Sequence, residues 1–212
     1  MLTVLVTNTK GGCGKTTIST CLAGAFAQAG FTTVLADCDR QRSSLEWSKR
    51  RPDRFPAIEI ANWIKEDGAT PKGTQRLVID VPAGIRRKRL DALVKAADMI
   101  ILPILPSVFD ENSTKRFLKV LDDLKPVRKG KRAVGVVANR MRFRTKAAAN
   151  LEAFMERIGH PVVARLRDSQ MYPSAAEDGL SLFDMPAGRT RSVVQDWLPL
   201  LSFIDDETFK VR

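Results

Sequence analysis

Apolar runs of strand length alternate with longer stretches of helical periodicity along the whole chain. LTVLVTN (2–8) is apolar on nearly every position, the pattern of a strand covered on both faces. KTTISTCLAGAFAQAG (15–30) follows as a helix that Gly30 ends. Further strands are predicted at 32–38, 57–63, 76–82, 99–105, 132–139 and 161–166. Helical segments are predicted at 43–51, 87–98, 111–125, 146–159, 173–179 and 189–203. Ser43 and Glu46 have the spacing of a capping box at the start of the second helix. No repeat, low-complexity segment or linker interrupts the pattern. It predicts one α/β domain over 1–212, with a mostly parallel twisted sheet and helices on both faces. Ligands of such sheets sit beyond the carboxyl ends of the strands, so the residues just after each strand carry the chemistry.

After the first strand comes TNTKGGCGKTT (7–17), followed directly by a helix. This is the strand–loop–helix setting of a P-loop, although Thr9 stands where the usual G-x-x-x-x-G-K-[ST] has its first glycine. Gly11, Gly12, Cys13 and Gly14 would let backbone N–H groups approach phosphate oxygens, aided by the helix N-terminus. Lys15 is expected to reach the β- and γ-phosphates, Thr16 to ligate Mg²⁺, and Thr17 to donate to the α-phosphate. Cys13 is read as a small apolar filler. The fold class is therefore P-loop NTPase-like. Strand ends supply the acids. LVIDVPAG (77–84) has the Walker B pattern, which makes Asp80 a metal residue, and Gly84 would bring backbone near the γ-phosphate. VLADCD (34–39) offers Asp37 to the metal shell and Asp39 to orient the attacking water.

Charge changes the picture of partners. The chain carries +11 at pH 7, with a sequence pI near 10.0, so a polyanion is the expected partner. Nucleic acid and an anionic membrane surface are the two candidates. Cys13, Cys21 and Cys38 do not form a disulfide framework, and the single histidine excludes a His-based metal site. No basic region precedes the first apolar run, and MIILPIL (99–105) is too short to span a bilayer. A cytoplasmic protein is expected.

These residues together resemble the ParA/MinD family of deviant Walker A ATPases. The family loop K-G-G-x-G-K-[TS]-[TS] is matched from Lys10 to Thr17. Its D-x-D-P-Q element appears as DCDRQ (37–41), with Arg40 in place of the proline. VIDVPAG, ADMIILPILPSVFD, VVANRMRFRT and LRDSQMYPSAAEDGLSLFD also resemble family segments, so the resemblance spans essentially the whole chain. With no segment ahead of the first strand, it is similar to the small ParA type, which includes plasmid-partition and organelle-positioning ATPases. The resemblance implies ATP and Mg²⁺ as ligands and a homodimer that sandwiches two ATPs. Lys10 would then be the signature lysine, crossing to the partner's phosphates. Two ammonium groups about 4 Å apart repel by roughly 4 kcal/mol at an effective dielectric near 20, and a triphosphate between them reverses the sign. Asn139 would contact adenine, and Arg167 and Asp168 would lie over the base.

The resemblance further implies non-specific binding to double-stranded DNA over the nucleoid and a ParB-like or cargo adaptor that stimulates hydrolysis. Arg165, Arg167, Arg189 and Arg191 are the expected DNA contacts. A MinD-like membrane switch is the first alternative. Pro199 and the acids Asp205, Asp206 and Glu207 argue against a membrane-binding tail, and Trp197, Leu198 and Leu201 are expected in the core. A small-molecule P-loop kinase is the second alternative, without an evident acceptor pocket.

Overall fold

In the computed structural model, which describes residues 1–65 and 68–210, the apolar runs become β1 (Leu2–Val6), β2 (Thr33–Asp37), β3 (Ile58–Asn62), β4 (Arg76–Asp80), β5 (Met99–Ile104), β6 (Ala133–Met141) and β7 (Val162–Arg167). They form one seven-stranded sheet in the order β3-β2-β4-β1-β5-β6-β7. Each neighbouring pair is parallel.

The helices are α1 (Lys15–Gln28), α2 (Ser43–Lys49), α3 (Arg87–Ala96), α4 (Val108–Asp122), α5 (Lys125–Arg128), α6 (Lys146–Met155), α7 (Met171–Glu177), α8 (Ala187–Gln195) and α9 (Leu198–Lys210), with a 3-10 turn at Leu182–Asp184. The two-residue period of the strands sends alternate side chains to opposite faces. Leu5, Ala36, Ile79, Ile100 and Leu102 pack with Leu90 and Leu93 of α3, Phe117 and Leu121 of α4, and Leu151 and Phe154 of α6. Val4, Val6, Leu35, Val78 and Ile101 pack on the other face with Ile18, Leu22 and Phe26 of α1, Trp47 of α2, and Trp197, Leu200 and Ile204. Each fully buried side chain of this size contributes roughly 1.5–3 kcal/mol. Two such layers hold the central strands rigidly enough to position residues at their carboxyl ends.

Three local expectations are corrected. The capping box of Ser43 and Glu46 does not form: Arg42 is the N-cap of α2, at φ 57, without a side-chain cap. Asp37 of β2 takes over instead, its Oδ2 accepting from Leu45 N at 3.0 Å, while Glu46 pairs with Lys49. The last helical segment is two helices. Asp196, between them, is held by the Arg167 guanidinium at 2.7 and 2.9 Å, and Pro199 sits in the first turn of α9, where no intrahelical N–H is lost. Trp197 is fully buried as expected, but Leu198 is 55% exposed and lies outside the core. The Asp110 side chain, part of the SVFD match, lies outside what the structure describes. No described helix is long and apolar enough to cross a membrane.

Candidate functional site

The loop between β1 and α1 is built from its glycines and closed by its neighbours. Gly12 (φ 73) and Gly14 (φ 92) take left-handed conformations that an L side chain disfavours. A Cβ on Gly14 would also collide with the Asn139 amide. That amide clasps the loop: Asn139 Nδ2 donates to Cys13 O at 2.8 Å, and its Oδ1 accepts from Arg140 N at 2.9 Å. Cys13 is buried, and its thiol donates to Lys10 O at 3.2 Å. Lys15 Nζ donates to the same carbonyl at 2.9 Å. Asn8 fixes the base of the loop, donating to Pro103 O at 2.7 Å and accepting from Lys10 N at 3.1 Å. No side chain caps α1, which leaves its first-turn N–H groups available to an anion.

Register then brings the acids together. Asp80 lies beside Asp37 of β2 on one side and Val6 of β1 on the other. Asp80 Oδ2 accepts from Thr16 Oγ1 at 2.7 Å and from Ser44 Oγ at 2.8 Å. Its Oδ1 is buried and has no hydrogen-bond partner among the described residues. Burial pushes the Asp80 carboxyl up to about 6, against the hydrogen bonds from Thr16 and Ser44, and the neighbouring Asp37 adds to the rise. Burial also raises Asp37, although backbone N–H groups of Asp39 and Leu45 pull the other way.

This donor set fits Mg²⁺. A hydroxyl and a carboxylate with one unused oxygen are hard ligands, and Mg²⁺ characteristically takes one or two carboxylates and completes its shell with water and phosphate oxygens. Among the described residues no cluster of three or more His, Cys, Asp or Glu could hold a metal alone, which such a shell does not require.

Two adjoining hollows open beyond the sheet. One, of about 480 Å³, is lined by Gly11, Gly12, Gly14, Lys15, Thr16, Thr17, Asp39, Gln41, Pro82, Ala83, Gly84 and Arg140. Its size, glycines and lysine suit a polyphosphate. The other, of about 670 Å³, is lined by Thr17, Leu105, Pro106, Ser107, Asn139, Arg140, Asp168, Ser169, Gln170 and Tyr172, among others. Its mixed apolar and amide lining suits a nucleoside. Asp39 faces the first hollow, its Oδ1 accepting from Gln41 N at 3.0 Å. Lys10 does not line it.

Several sequence expectations change here. Asp37 does not line the phosphate hollow: both its oxygens are bonded to backbone N–H groups, from Asp39 at 2.9 Å and Leu45 at 3.0 Å. It anchors the loop that carries Asp39. Arg167 lies outside the nucleoside hollow because Asp196 holds its guanidinium. Asp168 does line that hollow and pairs with Arg142 at 2.8 Å. Arg165 is bound bidentately by Glu152, at 2.7 Å through both nitrogens. Of the four arginines expected on DNA, Arg165 and Arg167 are thus neutralised within the chain. Arg189 and Arg191 are exposed on α8, with no acidic partner among the described residues.

Ser44, Arg140 and Tyr172 are site residues that sequence reasoning missed. Ser44 was hidden behind the capping-box pattern of Ser43, Arg140 inside the basic run NRMRFRTK, and Tyr172 inside a segment read only as helix.

Comparison with known proteins agrees with this fold. The sequence profile of the CobQ/CobB/MinD/ParA nucleotide binding domain matches residues 4–182. The chain is 27% identical over 201 residues to the "Maintenance of carboxysome distribution protein A" of Halothiobacillus neapolitanus, covering 92% of each chain. Its fold resembles that of McdA from Cyanothece in an ATP complex, with a TM-score of 0.70, 16% identity, and coverage of 98% of this chain and 96% of that one. The septum site-determining protein MinD of Pyrococcus horikoshii OT3, complexed with Mg-ADP, gives a TM-score of 0.69 at 19% identity, covering 96% of each chain.

Proposed function

Because this chain belongs to the CobQ/CobB/MinD/ParA nucleotide binding domain family, and is with it an ATPase that works with ATP and Mg²⁺, we propose that it is a positioning ATPase of ParA type. In this scheme ATP drives a sandwich homodimer, the dimer binds DNA non-specifically over the nucleoid, and a ParB-like or cargo adaptor stimulates hydrolysis and release. The likeness to a carboxysome distribution protein over nearly the full length makes a protein organelle one fitting cargo; a plasmid is another.

The observation that carries the proposal is the division of labour between two lysines. Lys15 lines the phosphate hollow of its own chain and Lys10 does not. A loop that spends a second lysine outside its own phosphate site is explained by a second subunit's phosphates.

Within one subunit the roles follow from position. The N–H groups of the glycine loop and of α1 bind phosphate oxygens, and Lys15 neutralises charge on the leaving and transferred phosphates. Thr16 and Asp80 would hold Mg²⁺, which supplies charge neutralisation on the β- and γ-phosphates when bound. Asp39, fixed through Asp37, orients a water toward the γ-phosphate. Asn139 holds the loop shape that all of these need. Phosphoryl transfer depends on positioning and charge stabilisation more than on covalent chemistry, so an aspartate alone gives slow turnover until an adaptor completes the site. On the DNA side, Arg189 and Arg191 provide unneutralised cations for phosphate contacts.

The test is DNA binding with ATP, with ADP and without nucleotide across a salt series. A steep loss of affinity with salt, seen only with ATP, is expected. DNA binding indifferent to nucleotide would overturn the switch.

A further inference from the structure

Arg140 is the feature that the scheme above leaves unused. Among the described residues only Thr17 and Arg140 line both hollows. They therefore mark the place where a nucleoside and its phosphate chain must join. Arg140 has a left-handed backbone at φ 52, a conformation that costs a non-glycine residue energy and concentrates at functional sites. Its N–H is held by Asn139 Oδ1 at 2.9 Å, which fixes that conformation at the mouth of the loop. The side chain is exposed, and among the described residues the guanidinium has no hydrogen-bond or ion-pair partner. Its neighbour Arg142, by contrast, is engaged by Asp168. The fold thus keeps a strained cation, unpaired among the described residues, where the two hollows join.

We propose that Arg140 is a nucleotide-binding residue whose guanidinium pairs with the α-phosphate, where the two hollows join. This rests on the assignment of ATP to the two hollows. A guanidinium offers a planar fork of N–H donors that matches two phosphate oxygens, which a lysine would meet only as a point charge. The contact is common to AMP, ADP and ATP and absent from adenosine. Arg140 would therefore set affinity for adenine nucleotides as a class and leave discrimination between ATP and ADP to Lys15 and the metal site.

The experiment is displacement of a fluorescent ATP analogue by ATP, ADP, AMP and adenosine from wild type, Arg140→Ala, Arg140→Lys and Arg140→Gly. Arg140→Ala is expected to weaken all three nucleotides by a similar factor, about ten- to a hundredfold for a charge-assisted hydrogen bond, and to leave adenosine unchanged. Arg140→Lys should recover only part of the loss. Arg140→Gly should lose nucleotide affinity like alanine while keeping or raising the melting temperature, since glycine accepts the left-handed backbone. A folded Arg140→Gly with wild-type nucleotide affinity overturns the assignment. So does a loss equally large for adenosine, which would mean a general distortion of the hollow. A loss that grows from AMP to ATP overturns the α-phosphate contact in favour of one further along the chain. Failure of the wild type to bind any of the nucleotides would instead overturn the placement of ATP on which the assignment rests.

Discussion

Asp80→Asn separates the two jobs assigned to the buried carboxylate. In the wild type Asp80 is buried, with one oxygen shared by Thr16 and Ser44 and the other without a partner among the described residues. Raising a carboxyl from 3.8 to about 6 corresponds to roughly 3 kcal/mol of folded-state penalty on the ionised form. The sign follows from linkage. The folded chain holds the Asp80 proton more tightly than the unfolded chain does. The associated stability is fully present below about pH 4, and it is lost as pH rises through about 6. Asparagine is uncharged at every pH and still offers an acceptor to Thr16 and Ser44. Its NH₂ meets no acceptor, which takes back on the order of 1 kcal/mol. Without ligand the variant should be about 1–3 kcal/mol more stable than wild type at pH 7.5, roughly 3–10 °C in Tm for a chain of this size, and no more stable at pH 4.

Ligand should reverse the order. Mg²⁺ favours the ionised carboxylate and should raise the melting temperature of wild type beyond what ATP alone achieves. That increment should vanish in Asp80→Asn. For the same reason the wild-type increment should shrink about tenfold in binding constant per pH unit below 6, where a proton competes for the oxygen. The assay is thermal denaturation at pH 4, 5, 6 and 7.5 with no ligand, with ATP and EDTA, and with ATP and Mg²⁺. An asparagine variant that is less stable without ligand at pH 7.5 would refute the penalty assigned to the ionised carboxyl, and one that keeps the full Mg²⁺ increment would refute the metal role of Asp80.

Lys10→Ala should bind ATP within about tenfold of wild type but stay monomeric, as light scattering with ATP would report; a normal ATP dimer removes the cross-subunit role. Reversing Arg189 and Arg191 to glutamate should abolish most ATP-dependent DNA binding and flatten its salt slope by about 4, two contacts from each subunit of the dimer, whereas reversing Arg165, already neutralised by Glu152, should do much less; equal effects would place the footprint elsewhere. Asp184→Ala should cost about 3–5 kcal/mol in denaturant unfolding, because it leaves the buried Arg51 guanidinium, 2.8 Å away, without its counter-charge. Asp37→Asn can accept only one of the two N–H groups now bound, so phosphate release should slow at least tenfold while the Mg²⁺ increment in Tm persists; loss of that increment would return Asp37 to the metal shell.

What the sequence could reveal depended on whether the information was local. Strands and the glycine loop were legible because apolar runs, G-K-T-T and the strand-end aspartates lie within a few residues of one another. The roles of Asp37 and Asp80 were not separable that way. Both end a strand and both precede a loop, and only the β2–β4 register, with Leu45 folding back onto Asp37, makes one an anchor and leaves the other with an open oxygen. Local patterning also misled: Ser43 and Glu46 spell a cap, yet the loop leading out of β2 already supplies one from Asp37, which frees the next serine for Asp80. Charge was legible as a total and not as a surface. Glu152 and Asp196 lie 13 and 29 residues from the arginines they neutralise, so a count of cations groups Arg165 with Arg191 although the fold pairs only the first with an acid among the described residues. The same logic explains Arg140. Counted as one cation in a basic run it meant little. Its place on both hollows, which the equally left-handed Arg144 does not share, makes it the arginine in that run with the clearest link to the nucleotide, and the acid that engages Arg142 two residues later leaves Arg140 the unpaired one of those two.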